Sequence, residues 1–483
     1  MKYWLPCILL LCQATMAQQQ ADSSMPRHAD SRKQRPNIIL LMSDDQGWGE
    51  TGYYGHPILK TPHLDEMASQ GLRMDRFYAG SPVCSPTRAS VLTGRSNDRT
   101  AVLSVGHPLR KQEITIARVL KEAGYRTAHF GKWHLNGIKG PGVPIPETDA
   151  RHPGHFGYMD WLATTNFFDM DPMLSRNGTF ESFSGGSSTV LIGEAVKYMA
   201  ALKDRDQPFF MTVWFGSPHD PWRASEADRK AFDGMDIEAA HHYGELVELD
   251  RSIGQLRKAL RDMGIADNTL LWFNSDNGGV KYFGTSTTAG LRGFKGDVYE
   301  GGLRVPCIIE WPAVIRKPRI SNFPSVTMDI FPTLADIAGL PIRDSTYPMD
   351  GISIRGEFTG PMNDRYKPIP FRYQGKAAYL ENKYKLLTRN HRNGEFELYD
   401  LEKDPYEKTD LMDKEPVVAQ RMIAAFRDWS KSVDKSIAGS DHLGGLQEPD
   451  PSPRLWLTAP EYRPYLEMLL KRPEYKGMKM QDE

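Results

Sequence analysis

The strongest constraint on this chain is a series of short, continuously apolar runs. Asn37-Ile38-Ile39-Leu40-Leu41-Met42 shows no polar alternation, the pattern of a strand buried on both faces of a parallel sheet. Similar runs recur at Arg126 to Phe130, Phe209 to Phe215, Thr269 to Phe273 and Val305 to Trp311. Helical periods lie between them. Leu246, Leu249, Ile253, Leu256 and Leu260 line one face of a helix that ends at Gly264, and Ile116 to Gly124 is a second helix with a glycine stop. Strands alternating with helices predict an α/β fold, a doubly wound and mostly parallel sheet sandwiched by helices.

Each of the first four runs leads into polar or ionisable residues. Met42 precedes Ser43-Asp44-Asp45, Phe130 precedes Gly131-Lys132-Trp133-His134, Phe215 precedes Gly216-Ser217-Pro218-His219-Asp220, and Phe273 precedes Asn274-Ser275-Asp276-Asn277. Ligands of open α/β sheets bind outside the carboxyl ends of the strands, so the four groups are expected to converge in one crevice.

Composition narrows the function classes. Among 483 residues, 60 Lys plus Arg stand against 61 Asp plus Glu, a net charge of −1 that argues against a nucleic-acid partner. The 40% hydrophobic share excludes disorder for most of the chain. Lys2, the apolar run Trp4 to Cys12 and the small-residue end Thr15-Met16-Ala17 predict a signal peptide over residues 1–17. A lipid anchor at Cys12 fits less well, because bulky Leu11 stands where a small residue is wanted. No later stretch reaches the roughly 18 to 20 apolar residues of a membrane span, so no membrane partner is expected. Residues 18–35 read as a disordered, Gln/Ser-rich lead-in. Export then leaves only Cys84 and Cys307, too few for a disulfide framework, which points to a periplasmic or secreted bacterial protein.

The fold is expected to comprise a catalytic domain over 36–360 and a smaller α+β part with an antiparallel sheet over 361–483. In the latter, Tyr379 to Thr388 and Phe396 to Asp400 read as strands joined by Asn393-Gly394, Val417 to Val433 as an amphipathic helix, and the tail from Pro449 as a surface wrap. The stretch from Asn136 to Ser188 lacks a sustained period and reads as functional loops.

Pro82-Val83-Cys84-Ser85-Pro86-Thr87-Arg88 carries a helix start, with Ser85 as N-cap and Pro86 at the first helical position. Cys84 would then face a helix N-terminus that favours an anion, with Arg88 about one turn on. The local pattern alone leaves a plain core cysteine equally open.

Cys84-Ser85-Pro86-Thr87-Arg88 resembles the Cys-x-Pro-Ser/Thr-Arg signature of type I, formylglycine-dependent sulfatases of the alkaline phosphatase superfamily, and the likeness continues through Leu92-Thr93-Gly94-Arg95. Gly124 to His134 resembles the second signature of that family, with Phe130 where a smaller residue is usual. The likeness extends to the first strand with its Asp pair, the Asp276-Asn277 turn, Gly293 to Pro306, Glu397 to Leu401 and Asp404-Pro405. It implies a sulfatase-like fold and a sulfuric ester hydrolase. It further implies oxidation of Cys84 to Cα-formylglycine by a maturation enzyme that reads Cys-x-Pro-x-Arg. The aldehyde hydrates to a geminal diol; one oxygen attacks the ester sulfur, the alcohol leaves, and loss of the proton from the second hydroxyl expels sulfate and restores the aldehyde.

Asp44, Asp45, Asp276 and Asn277 offer only oxygen, which suits a hard cation. Carried over by motif position, these four and the residue 84 oxygen would hold one Ca²⁺, ahead of Mg²⁺. The resemblance assigns Arg88, Lys132 and Lys295 to the sulfate oxygens, His134 to base work on the diol and His219 to the leaving oxygen. His129 lies inside a strand and reads as packing. His152, His155, Trp161, Asn166 and Phe167 are equally readable as sugar contacts or loop anchors. The expected substrate is a sulfated carbohydrate. An aryl sulfate, a phosphatase or phosphodiesterase activity, and a noncatalytic glycan-binding protein are the alternatives, and a two-zinc phosphatase would want a histidine where Asn277 stands. Asn177-Gly178-Thr179 is a glycosylation acceptor in a eukaryotic secretory pathway.

Overall fold

A computed structural model describes Met1, residues 35–202, 207–341, 347–476 and Met478. The signal-peptide and lead-in readings, Met1 and Arg35 aside, lie outside the described residues.

The apolar runs form the centre of a ten-stranded sheet. Its order is Arg319–Ser321, Leu72–Met74, Cys307–Glu310, Thr269–Ser275, Asn37–Ser43, Phe209–Trp214, Arg126–Lys132, Asp160–Thr164, Met173–Arg176 and Thr179–Ser182. The five strands from Thr269–Ser275 to Asp160–Thr164 run parallel, in a register that sets Ser43 beside Ser275, Met42 beside Trp214 and Lys132 beside Thr164. Their carboxyl ends therefore lie along one edge.

Both faces are covered, which explains the missing alternation. Ile38, Leu40 and Met42 pack on one side with Phe210, Trp214 and Trp272. Ile39 and Leu41 pack on the other with Met211, Val213 and Phe273, under Leu249, Ile253, Leu256 and Leu260 of the helix Ile237–Asp262. Full burial of each such side chain stabilises the fold by about 1.5–3 kcal/mol. Gly264 follows that helix at φ 69°, the left-handed conformation expected of a glycine stop.

Several expectations are corrected. The run Val305 to Trp311 gives the strand Cys307–Glu310, which lies antiparallel to Thr269–Ser275. The stretch 136–188 is not only loops, because it supplies three main-sheet strands, two of them an antiparallel hairpin at the edge. Edge strands of four or five residues are too short to show a period. The hairpin read across Asn393-Gly394 is part of a four-stranded antiparallel sheet, Ile369–Tyr373, Lys376–Glu381, Tyr384–Thr388 and Phe396–Asp400. Tyr379 to Thr388 thus holds a turn of its own, made by Asn382 at φ 48°, a conformation asparagine tolerates. The helix Pro416–Ile437 packs Met422, Ile423 and Phe426 against one face of that sheet. The tail does more than wrap the surface: Arg454–Leu455 pairs with Ile138–Lys139, and Trp456, Tyr462 and Tyr475 bury against Ile138 and Val143. None of the described helices is long and apolar enough to cross a membrane.

Candidate active site

The loops leaving four parallel strands continue the sheet's backbone pairing for a residue or two, and this fixes where their polar side chains start. Asp44 N–H donates to Ser217 O (3.0 Å), Asp276 N–H to Ser43 O (3.1 Å) and His134 N–H to Thr165 O (2.8 Å). Asp45 and His134 sit at φ 70° and 58°. Such left-handed conformations cost a non-glycine residue about 1–3 kcal/mol and concentrate where a side chain must be aimed.

Against this edge stands the N-terminus of the helix Cys84–Thr93, every residue of which is buried. Cys84 is itself the first helical residue and Val83 the cap, which corrects the N-cap assigned to Ser85. The Ser85 hydroxyl instead accepts from Gly106 N–H at 2.9 Å, and no side chain caps the helix. The Cys84 sulfur lies 3.5 Å from Asp44 Oδ1 and 4.0 Å from Asp45 Oδ1. One turn along, Arg88 donates to Asp276 Oδ2 (2.7 Å) and lies 3.5 Å from Asp44 Oδ2.

Two lysines complete the arrangement. Lys132 Nζ donates to Asp44 Oδ2 at 2.5 Å and Lys295 Nζ to Asp45 Oδ2 at 2.6 Å. The Lys295 turn is pinned by its backbone: Lys295 N–H donates to Gly279 O (3.0 Å) and Gly296 N–H to Pro82 O (2.9 Å), just before the Cys84 helix. Asp45 is the hub, since its N–H donates to Asp276 Oδ1 (3.0 Å) and its Oδ1 accepts from Asn277 Nδ2 (2.8 Å). His219 Nε2 stands 3.8 Å from Asp45 Oδ2. Its Nδ1 donates to the Asp220 carbonyl at 2.5 Å, and Phe167 stacks on its ring at 5.0 Å and 9°.

Electrostatics follow from three carboxylates and three cations sharing a largely buried site. Burial would raise the Asp44 carboxyl, but Lys132, His219, Arg88 and Lys295 outweigh it and hold it well below the usual range. Burial likewise opposes the lowering of Asp45, and Lys295 and His219 win. Asp276 goes the other way, pushed up to about 7 by burial and by the Asp44 charge, with Arg88 only partly compensating. Burial would lower Lys295, yet Asp45 and the neighbouring acidic groups raise it well above the ordinary lysine value. Burial pushes the Cys84 thiol well up, more than Lys132 and Lys295 pull it down. The thiol is therefore held protonated, and the helix N-terminus does not make it a thiolate. His134 and His219 are both lowered, first by burial and then by the lysine charges, so both imidazoles are neutral near pH 7. With Nδ1–H committed to Asp220, neutral His219 presents Nε2 to the site as an acceptor.

The donor chemistry fits a hard cation. Asp44, Asp45, Cys84 and His219 bring ligand atoms within 4.8 Å of one another. The Asn277 Oδ1 is buried with no hydrogen-bond partner, facing a residue set otherwise rich in carboxylate oxygen.

The structure thus brings together the residues selected from sequence: Asp44, Asp45, Cys84, Arg88, Lys132, His219, Asp276, Asn277 and Lys295 by direct contact, and His134 by burial beside Lys132 and Arg88. Phe167 reaches the site through His219. His152, His155 and Trp161 do not, because they stack on one another (4.3 and 5.3 Å) as a loop anchor, and Asn166 donates to Gly140 O at 2.8 Å. His129 is packing, enclosed by Trp133, Tyr158 and Trp214 and bonded to Thr212 Oγ1 at 2.7 Å. Sequence reasoning missed Tyr373, which the C-terminal sheet brings within electrostatic reach of Lys295. Nothing local to Tyr373 signals this.

Comparison with known proteins places the chain among relatives. The Sulfatase family model matches residues 36–340, and a model described as N-sulphoglucosamine sulphohydrolase, C-terminal, matches residues 294–428. The N-acetylgalactosamine-6-sulfatase of Canis lupus familiaris is 33% identical over 71% of this chain and 69% of its own length. Matches to the other mammalian N-acetylgalactosamine-6-sulfatases span 63% to 70% of those proteins. Arylsulfatase A of Homo sapiens is 30% identical over 78% of this chain and 83% of its own length. Among solved structures, Ps i-CgsB in complex with k-i-k-neocarrahexaose superposes with a TM-score of 0.74 at 24% identity, covering 91% of this chain and 100% of that chain.

Proposed function

The chain belongs to the sulfatase family and is a sulfuric ester hydrolase; from that premise we propose that its substrate is a sulfated saccharide, cleaved at residue 84 within the cradle of Arg88, Lys132 and Lys295. The saccharide reading is supported by relatives named N-acetylgalactosamine-6-sulfatase and by a structural neighbour in complex with k-i-k-neocarrahexaose.

The observation that carries the mechanism is the position of residue 84: its sulfur lies 3.5 Å from Asp44 Oδ1 and 4.0 Å from Asp45 Oδ1, at the N-terminus of the helix that carries Arg88. A buried Cys84 whose thiol is pushed well up by burial is a poor nucleophile, whereas its oxidation product, Cα-formylglycine, would supply a hydrated-aldehyde hydroxyl instead. Asp44, Asp45, Asp276 and Asn277, with the residue 84 oxygen, would hold one Ca²⁺, whose chemistry is to polarise sulfate oxygens. Three carboxylates offset three cations in the protein alone, so a bound divalent ion leaves the site positive and suited to a monoanionic ester.

The remaining work falls to the protein's own groups. Arg88, Lys132 and Lys295 take the nonbridging oxygens, fixed beforehand by ion pairs so that no reorganisation is needed as charge develops. His134, neutral and buried with both ring nitrogens unpartnered, is the base for the residue 84 hydroxyl. His219 serves the leaving oxygen. Since its Nδ1–H is held by Asp220, it must take a proton on Nε2 before donating one. Export, cleavage of residues 1–17 and maturation of Cys84 by an enzyme reading the Cys-x-Pro-x-Arg motif belong to the same proposal, as does a catalytic part over 36–360 followed by the α+β part.

Peptide mass spectrometry of the active protein should find an aldehyde at position 84, and Cys84→Ala should abolish sulfate release. An unmodified thiol in fully active protein would overturn the proposed nucleophile. A sulfate-release screen over sulfated saccharides and aryl sulfates decides the substrate, and turnover confined to aryl sulfates would overturn the saccharide reading.

A further inference from the structure

We infer that His242, acting through Glu50, is a positioning residue of the site: it locks the loop that carries Asp44 and Asp45 against the loops that carry His219 and Asn277, and so presets the oxygen donors for their cation. The inference rests on the proposed reading of those donors as a Ca²⁺ site.

The need for a lock begins at Asp45. It holds a left-handed φ of 70°, and such a conformation persists in a non-glycine residue only where the surroundings over-determine it. The chain that follows is closed into a tight turn. Glu50 N–H donates to Gly47 O (3.0 Å), Gly47 N–H to Glu50 Oε2 (2.7 Å) and Gln46 Nε2 to Glu50 O (2.8 Å). All three bonds involve Glu50, so whatever holds Glu50 holds the chain from the residue after Asp45 onward. Its other carboxylate oxygen, Oε1, accepts from His242 Nε2 at 2.6 Å.

His242 stands on the helix Ile237–Asp262, and both side chains of the pair are fully buried. A carboxylate out of water is costly without a donor, so this contact resists being broken. The imidazole also packs against two further loops of the site. Phe283, in the segment Lys281–Ser286 that follows Asn277, stacks on it at 4.1 Å and 28°. Trp222, three residues after His219, meets it edge-on at 6.0 Å and 90°, and the Trp222 indole N–H donates to the Pro218 carbonyl at 2.9 Å. Three of the four loops leaving the parallel strands therefore converge on one ring. Its Nδ1 has no hydrogen-bond partner among the described residues, which leaves Glu50 as the ring's polar contact.

The test reads Ca²⁺ binding, not turnover. The melting temperature of the matured enzyme is followed across Ca²⁺–chelator buffers for wild type, His242→Phe and His242→Gln. Phenylalanine keeps a ring against Phe283 and Trp222 but removes the donor to Glu50, whereas glutamine keeps an amide donor at the reach of Nε2. Removing a group that orients a metal ligand weakens metal binding about 10- to 100-fold, so the Ca²⁺ concentration at half-saturation should rise by that factor in His242→Phe and by less than about threefold in His242→Gln. Should His242→Phe not fold, His242→Asn, whose shorter amide falls short of Glu50, takes its place with the same expected rise. A role confined to stability would lower the melting temperature equally at all Ca²⁺ concentrations and leave half-saturation where it is in wild type. That result overturns the inference, as does a weakening in His242→Gln equal to that in His242→Phe. Wild-type enzyme whose melting temperature ignores Ca²⁺ overturns the metal reading itself, and the inference with it.

Discussion

Removing His219 separates proton donation from sulfate binding. In His219→Ala the cradle of Arg88, Lys132 and Lys295 keeps its partners, because those cations pair with Asp44, Asp45 and Asp276 and not with the imidazole. The fold loses the Phe167 stack at 5.0 Å, about 1 kcal/mol of stability. The His219 side chain is 13% exposed, so water fills its place and no sealed void remains. The catalytic loss should be that of general acid work, about 10²- to 10⁴-fold, or roughly 3–5 kcal/mol on the barrier. That loss is due only when the leaving group needs a proton. Sulfate release from a sugar alcohol should fall by the full factor, whereas release from 4-nitrophenyl sulfate, whose phenolate leaves unaided, should fall less than tenfold. Steady-state kcat with both substrates gives the comparison. Equal losses on the two would refute proton donation and leave His219 a positioning or binding residue.

Three further outcomes follow from the same geometry. Added Ca²⁺ should raise the melting temperature of the matured protein relative to protein in chelator, by about 2.7 kcal/mol of stability at a concentration one hundred times Kd, and Asn277→Ala should remove most of that gain; identical melting curves with and without Ca²⁺ would count against the site. His129 is lowered to about 3 by burial and then by Arg88. Stability from this group is complete above the unfolded value near 6.5 and is lost as pH falls towards about 3, at up to about 1.4 kcal/mol per pH unit, so His129→Gln should flatten the pH dependence of unfolding free energy between pH 4 and about 6. Lys385 Nζ lies 2.9 Å from both Glu300 and Glu407 in the interior, where Lys385→Ala would strand two carboxylates at a cost of about 3–5 kcal/mol, measurable by denaturant unfolding; a loss below about 1 kcal/mol would mean that water reaches the pair.

The central strands were legible because burial on both faces leaves a mark on every residue from Ile38 to Met42. The reactive loops were legible because each begins where such a run stops. Short elements left no comparable mark. The edge strands Met173–Arg176 and Thr179–Ser182 are half exposed and only four residues long, and the turn at Asn382 sits inside what reads as one strand. Ser85 misled for a related reason, since its hydroxyl could cap its own helix or serve a neighbour, and only Gly106 decides between them.

By itself the sequence determined which strands are central, which residue types follow them, and that Cys84, Arg88 and the oxygen donors belong to one chemistry. Residue identity and local period carry all of that. The tertiary structure alone decided how those groups share charge: Asp45 as hub, a Cys84 thiol kept protonated, Asp276 raised to about 7, and His219 turned so that Nε2 faces the site. It also decided that Lys376 of the C-terminal sheet is tied to the Lys295 turn, its Nζ donating to Gly296 O at 2.7 Å. Burial and Coulomb interactions depend on distances in space, and a spacing along the chain does not encode them.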